Sequence, residues 1–309
     1  MQILDKNEFL KEKDGTRISG LVVIQNYSAA PTKNGGSYFA GSLQACGDVS
    51  FKVWSGLCYD KMANEDMSGK VCAVDAEVNE YNGTKSLILT HIAVLSEEEL
   101  EHHKIQKSDF FANKYNISAY WDKLLKVMEK HISVDAMKVF MLCISEYEDA
   151  FKREFAAIHY HDNCKGGLLA HTTKVVSLCN VLSMYSNISS RVSKDILYVG
   201  AALHDLGKIA EYSDGVISEM GMYLSHNTIG CIMLEKHKQE IIGLKGEEYF
   251  NTLLSIISQH HGEYGERPRT ITAYLIHQLD LLESMLTLLD QDIETTPIGQ
   301  LRFDDLKLI

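Results

Sequence analysis

No stretch of this 309-residue sequence is apolar for long enough to cross a bilayer. The amino terminus, "MQILDKNEFLKEKDG", carries charge throughout and has no apolar core, so it does not read as a signal peptide. The seven cysteines include no CxxC pair and no framework spacing. That excludes a zinc knuckle or a disulfide scaffold and reads as reduced thiols in a cytoplasmic protein. Basic residues are in deficit, 30 Lys and Arg against 42 Asp and Glu, for a net charge of -12. A general nucleic-acid coat protein, whose affinity comes from neutralising phosphates, is excluded on that balance. An enzyme that holds nucleic acid locally, through metals and a few cations, is not. Internal repeats and low-complexity segments are absent as well. What remains is an ordinary globular composition, 45% hydrophobic and 23% charged, in a chain long enough for two domains.

Two halves differ in period. In the first, "TRISGLVVIQNY", "YFAGSLQA", "SFKVWSG", "KVCAVDAEVNEY" and "TKSLILTHIAVL" read as strands. A polar helical piece, "YDKMANEDMSG", lies between the third and fourth, and "NG" marks a tight hairpin between the last two. Five strands with a helix after the third is the order of an OB-fold barrel. Its aromatics Tyr38, Phe39, Phe51, Trp54 and Tyr81 are candidates to stack bases of a single strand. The competing reading, equally open, is that they fill the barrel core. No basic cluster accompanies them.

From about Glu97 the period becomes helical. "SEEELEHHK" reads as a solvated connector, with His102 and His103 on the surface, and seven amphipathic runs follow between Ile117 and Ile293. Metal-competent side chains recur at their inner faces and ends. They are His171 in "GGLLAHTTKV", His204 and Asp205 in "AALHDLGK", His226 in "YLSHNTIG", His260 and His261 in "SIISQHHGEYGERP", and Asp280 in "LIHQLDLLES". A lone histidine on an apolar helix face is usually a hydrogen-bonded core residue. Several imidazoles and carboxylates buried together without a shared cation would be costly. Such a mixed donor set suits manganese, iron, cobalt or zinc better than calcium.

The order His, His-Asp, Asp on separate helices resembles the HD-domain superfamily of metal-dependent phosphohydrolases, with His171, His204, Asp205 and Asp280 matching its four defining ligands. His226, His260 and His261 resemble the additional ligands of its binuclear subgroup. With a barrel in front, the chain resembles the YhaM-type 3′→5′ exoribonucleases over roughly residues 16 to 293. The expected fold class is therefore α+β in two domains, an N-terminal OB-fold β-barrel followed by an all-α HD-domain helical bundle. The expected boundaries are 1–97 for the barrel, 98–132 for a connector and first helix, 133–293 for the HD domain and 294–309 for a tail. Departures from the family pattern are Ala170, His161-Asp162 and Tyr274, none of them a matched ligand.

The resemblance implies a hydrolase of single-stranded RNA, or also DNA, using two divalent ions, with Mn2+ ahead of Co2+, Fe2+, Zn2+ or Mg2+. Asp205 is placed to bridge the ions. Lys208 is a candidate to offset phosphate charge, or a helix-end cation favoured by the macrodipole. Arg267 is a candidate phosphate clamp, or a solvated loop charge. Homo-oligomerisation stays open, and no membrane partner is expected. Two other readings compete: a phosphohydrolase of small nucleotides with a regulatory barrel, and a non-catalytic nucleic-acid-binding factor.

Overall fold

Alternation of apolar and polar residues builds the first half into strands whose inward faces converge. In the computed structural model, which describes every residue except 1, 33–34, 82, 112–113, 158–163, 214, 263–264, 296–301, 304–305 and 308–309, these strands close on themselves. The strands are β1 (Arg17–Pro31), β2 (Ser37–Gln44), β3 (Asp48–Val53), β4 (Val71–Tyr81) and β5 (Thr84–Val94), in the barrel order β1-β2-β3-β5-β4. Closure depends on the length of β1. Its first part, Arg17–Val23, pairs with β4, and its second part, from Val23 to Pro31, pairs with β2. A register irregularity between Ile24 and Asn26 lets one strand serve both neighbours. β3 and β5 complete the ring in parallel, and the helix α1 (Leu57–Asn64) lies between β3 and β4. This is the OB-fold order read from the sequence.

One aromatic expectation is overturned in the barrel. Along β3 the residues Val49, Phe51 and Val53 point inward, and Phe51 is only 1% exposed. It fills the core beside Val22, Ile24 and Leu43 and has no face to offer a base.

The compact units divide as Met1–Asn113 and Lys114–Ile309, later than the change of composition at Glu97 suggests. The acidic segment forms a helix, Glu97–His103, closed by a Ser96–Glu99 capping box and with no buried residue, as its charges require. The chain then returns to the barrel unit. The Cys46 amide donates to the Phe110 carbonyl at 2.7 Å, and Phe110 and Phe111 are buried.

The second unit is helical. Its main helices are α2 (Ile117–His131), α3 (Val134–Ile144), α4 (Gly167–Leu178), α5 (Lys194–Leu203), α6 (His226–Glu235), α7 (Lys238–Lys245), α8 (Glu247–Gln259) and α9 (Ile271–Thr295). α2, placed in the expected connector, contributes Trp121, Leu124 and Met128 to the same core as α4, α5 and α8. Within the expected tail, Arg302–Phe303 pairs with Leu306–Lys307. His161-Asp162 lies outside the described residues. Among the described residues, no helix is long and apolar enough to cross a membrane.

One carboxylate ties three helices of this unit. Asp195, in the first turn of α5, accepts from the amide (2.7 Å) and hydroxyl (2.6 Å) of Ser133, the N-cap of α3, and from Lys245 of α7 (2.6 Å). Burial would raise its pKa, but Lys245 and the Ser133 hydrogen bonds hold it below the ordinary value. A depressed folded-state pKa stabilises above the unfolded value, and the gain is lost as pH falls through the folded one. Asp195→Ala should therefore destabilise the helical unit by about 1–3 kcal/mol near neutral pH. The difference in urea midpoint from the wild type should close as pH is lowered through the carboxylate range.

Candidate metal centre

Packing fixes where the polar ends of these helices go. α4 is buried from Gly167 to Thr173, which encloses His171 at 1% exposure. α5 is buried throughout Ile196–Leu203, so the residues that follow it, His204 and Asp205, are carried to the middle of the unit, 0% and 3% exposed. The glycine after this pair is required by space. A Cβ on Gly207 would lie 1.9 Å from the His226 carbonyl oxygen and 2.5 Å from the Gly230 nitrogen. Without side chains there, the first turn of α6 settles against the His204-Asp205 turn and brings His226 with it. α8 ends at His260 and His261, after which Gly262 takes φ +56°. The His277 ring occupies the space beside Gly262, and its Nδ1 donates to the His260 carbonyl at 2.7 Å. α9 delivers Asp280.

All seven expected ligands meet. One atom from each of His171, His204 and Asp280 lies within 4.8 Å of the others, and the same holds for His226, His260 and His261. Asp205 stands between the two groups. Its Oδ2 is 3.4 Å from His171 Nε2 and 3.3 Å from His204 Nε2, while its Oδ1 is 3.3 Å from His260 Nε2 and 3.7 Å from His226 Nε2.

The outer edges of four rings are fixed, and this sets what the inner edges present. His204 Nδ1 donates to the Ala201 carbonyl (2.8 Å) and His260 Nδ1 to the Ile257 carbonyl (3.0 Å). His171 Nδ1 donates to Glu283 Oε2 (2.5 Å) and His226 Nδ1 to Glu211 Oε2 (2.9 Å). Carbonyl and carboxylate oxygens only accept, so each Nδ1 carries its proton and a neutral ring turns an Nε2 lone pair inward. His171 Nε2 and His204 Nε2 then face each other at 3.2 Å, and His226 Nε2 turns its lone pair toward His261 Nε2 at 2.6 Å. Asp205 Oδ1 and His260 Nε2 are buried and, among the described residues, have no hydrogen-bond partner. Lone pairs converging in a largely buried cluster need a shared positive charge. The donor set fits divalent cations, with the outer partners in the orienting role such ligands use.

Electrostatics agree. Burial alone would lower His171, but Asp280 and Glu283 outweigh it and raise it to about 10, so the surroundings call for positive charge at that ring. Burial and the neighbouring His260 push His261 down to about 4, keeping it a neutral donor. Burial also lowers His260, in spite of Asp205. Against the cost of burial, Lys208 and His204 hold Asp205 well below the carboxylate range. The Lys208 ammonium is 2.7 Å from Asp205 Oδ2.

Three helpers were absent from the sequence expectations. Glu283 and Glu211 orient rings, and His277 fixes the turn of His260. The two carboxylates had a weak signal: Glu283 follows Asp280 by three on one helix, and Glu211 follows Lys208 by the same step. Arg267 is exposed, with no ion pair among the described residues. In the barrel unit, Trp54 (42% exposed) stacks on Tyr38 at 4.6 Å and Tyr81 is 71% exposed. Phe39 instead packs against the core, stacked on Tyr59 at 4.7 Å.

The HD domain family matches residues 168–285, the stretch that carries every one of these ligands. This stretch is an HD domain. Over 93% of its length the chain containing this HD domain is also similar to the 3'-5' exoribonuclease YhaM of Bacillus subtilis, 25% identical over 301 residues and 90% of that protein. The YhaM of Listeria innocua is 24% identical over 297 residues, with 93% of this chain and 91% of that one covered. The resemblance thus runs through the barrel as well as the HD domain. A Saccharomyces cerevisiae mitochondrial single-stranded DNA binding protein, Rim1, aligns with 27% of this chain and 97% of its own at 18% identity and a TM-score of 0.25. At that score the likeness adds nothing to the barrel's own strand order.

If Glu211 orients only one of the two groups, its loss should be local. Glu211→Ala should weaken cation binding by the His226 group about 10–100-fold and leave the His171 group loaded. Asp205→Ala should deplete both. Metal content after dialysis against graded chelator, on protein of unchanged circular dichroism, measures this.

Proposed function

We propose that the chain is a 3′→5′ exonuclease of single-stranded RNA that works with two divalent cations, manganese foremost, in the cytoplasm. The observation that carries the reading is Asp205, one carboxylate facing two separate groups of ligands through its two oxygens. Support comes from the relatives, whose 3'-5' exoribonuclease similarity spans both units.

Divalent cations held there would supply Lewis acidity toward a phosphodiester and toward water. His171, His204 and Asp280 would hold one, and His226, His260 and His261 the other, with Asp205 shared. Glu283 and Glu211 keep the imidazole rings aimed. Lys208, anchored on Asp205, keeps a fixed positive charge at the edge of the centre for a non-bridging phosphate oxygen. Arg267 offers a planar fork that matches phosphate. The exposed face of Trp54 offers a stacking surface for a base of the strand. Hydrolysis that expels the 3′-oxygen leaves a 3′-hydroxyl on the shortened strand and a 5′-phosphate on the released nucleotide.

With manganese, a 5′-labelled RNA oligomer should give a ladder shortening from its 3′ end, and the same sequence closed into a circle should resist. Comparable cleavage of the circle would make the enzyme an endonuclease. Inert RNA beside rapid turnover of small nucleotides would make it a nucleotide phosphohydrolase. Arg267→Ala should slow RNA hydrolysis by about 10–100-fold, the worth of a charged hydrogen bond, with metal content unchanged.

A further inference from the structure

A second cleft, of about 800 Å3, opens on the helical unit between α2, α4 and α9. It is separate from the ligand groups but shares a wall with them. Glu283, 2% exposed, turns Oε2 to His171 and Oε1 to Lys174 (3.1 Å) and Thr287 (2.5 Å), and the last two line the cleft.

Its charge runs against that of the molecule. In a chain of net charge -12, Lys114, Lys123 and Lys174 line one cleft. Of the two carboxylates there, Glu283 is consumed by the contacts just given, Lys174 among them, which leaves Asp290 as the carboxylate of the lining to face the Lys114 and Lys123 ammonium groups. Lys114 and Lys123 are exposed, and neither has an ion-pair partner among the described residues. Aromatic surface lies alongside. Tyr115 and Tyr120 line the same cleft, their ring centroids 5.2 Å apart, with the Lys174 ammonium 5.2 Å from the Tyr115 ring. Unpaired ammonium groups take phosphate, ring faces take planar heterocycles, and the volume is in the range that encloses a small ligand.

We propose that this cleft binds a nucleotide, its phosphate on Lys114 and Lys123 and its base against the tyrosines, at a site distinct from the metal centre. That nucleotide is either one within the substrate strand or a released mononucleotide. The first source rests on the exonuclease reading, and the second does not.

The test uses the full chain in EDTA, so that binding is read without hydrolysis. The probes are a 5′-fluorescein oligouridylate, the same oligomer carrying 4-thiouridine for cross-linking, and a fluorescent AMP. In Lys114→Ala/Lys123→Ala the Kd for the oligomer should rise at least about tenfold. The slope of log Kd against log salt should fall by about 1.4, two lost phosphate contacts at roughly 0.7 each. Cross-links should map to the peptide bearing Tyr115 and Tyr120. A loss confined to AMP assigns the site to the free nucleotide. Lys123→Glu gives a second variant if the double one does not keep the wild-type circular dichroism. Unchanged affinity for both probes, with no cross-link at the cleft tyrosines, overturns the proposal. Failure of the wild type to degrade RNA with manganese overturns the exonuclease reading instead and leaves the binding result standing.

Discussion

A carboxylate that is 3% exposed and ringed by four imidazole nitrogens governs the architecture of the helical unit. Taking Asp205 out of water is expensive, and the surroundings compensate with Lys208 on one oxygen and converging ligand groups on both. Each feature around it follows from that requirement. The apolar run of α5 drives the residue inward, Gly207 lets α6 come close enough to reach it, and outer hydrogen bonds stop the rings from turning away. Removing Lys208 would leave the buried charge of Asp205 without the ammonium that faces it, at a cost of several kcal/mol.

How much of this could be read in advance depended on whether the determinant was local. The strands were legible because the period of two is written residue by residue, and the barrel order followed from five such runs and one helix. The ligands were legible because two adjacent polar residues at the end of an apolar helix have no packing explanation. Phe51 stayed open between stacking and the core because it was weighed by residue type rather than face. It alternates in phase with Val49 and Val53, and that phase already marked it as inward. The unit boundary was misplaced because the charges of Glu97–His103 report solvation of one helix, whereas the return of Phe110 to Cys46 is a contact across the fold.

The orienting carboxylates were harder, since Glu211 and Glu283 resemble any solvated helix acid until the ring nitrogen opposite them is known. Glu283 shows how far local pattern and three-dimensional role can diverge. On a helix with many exposed leucines it is one of the few buried residues, and it touches His171, 112 positions earlier. Only the packing of α4 against α9 gives it meaning.

The ligands of the centre are drawn from five helices and from residues 171 to 280. Bringing them together closes long loops, and the chain bears that entropy before any ligand set exists. A cation that recognises only the assembled arrangement returns free energy by mass action, about 2.7 kcal/mol at a hundredfold excess over its Kd. Metal supply would then govern the lifetime of the molecule as well as its turnover. A cell short of the ion would lose the protein to its proteases along with the activity.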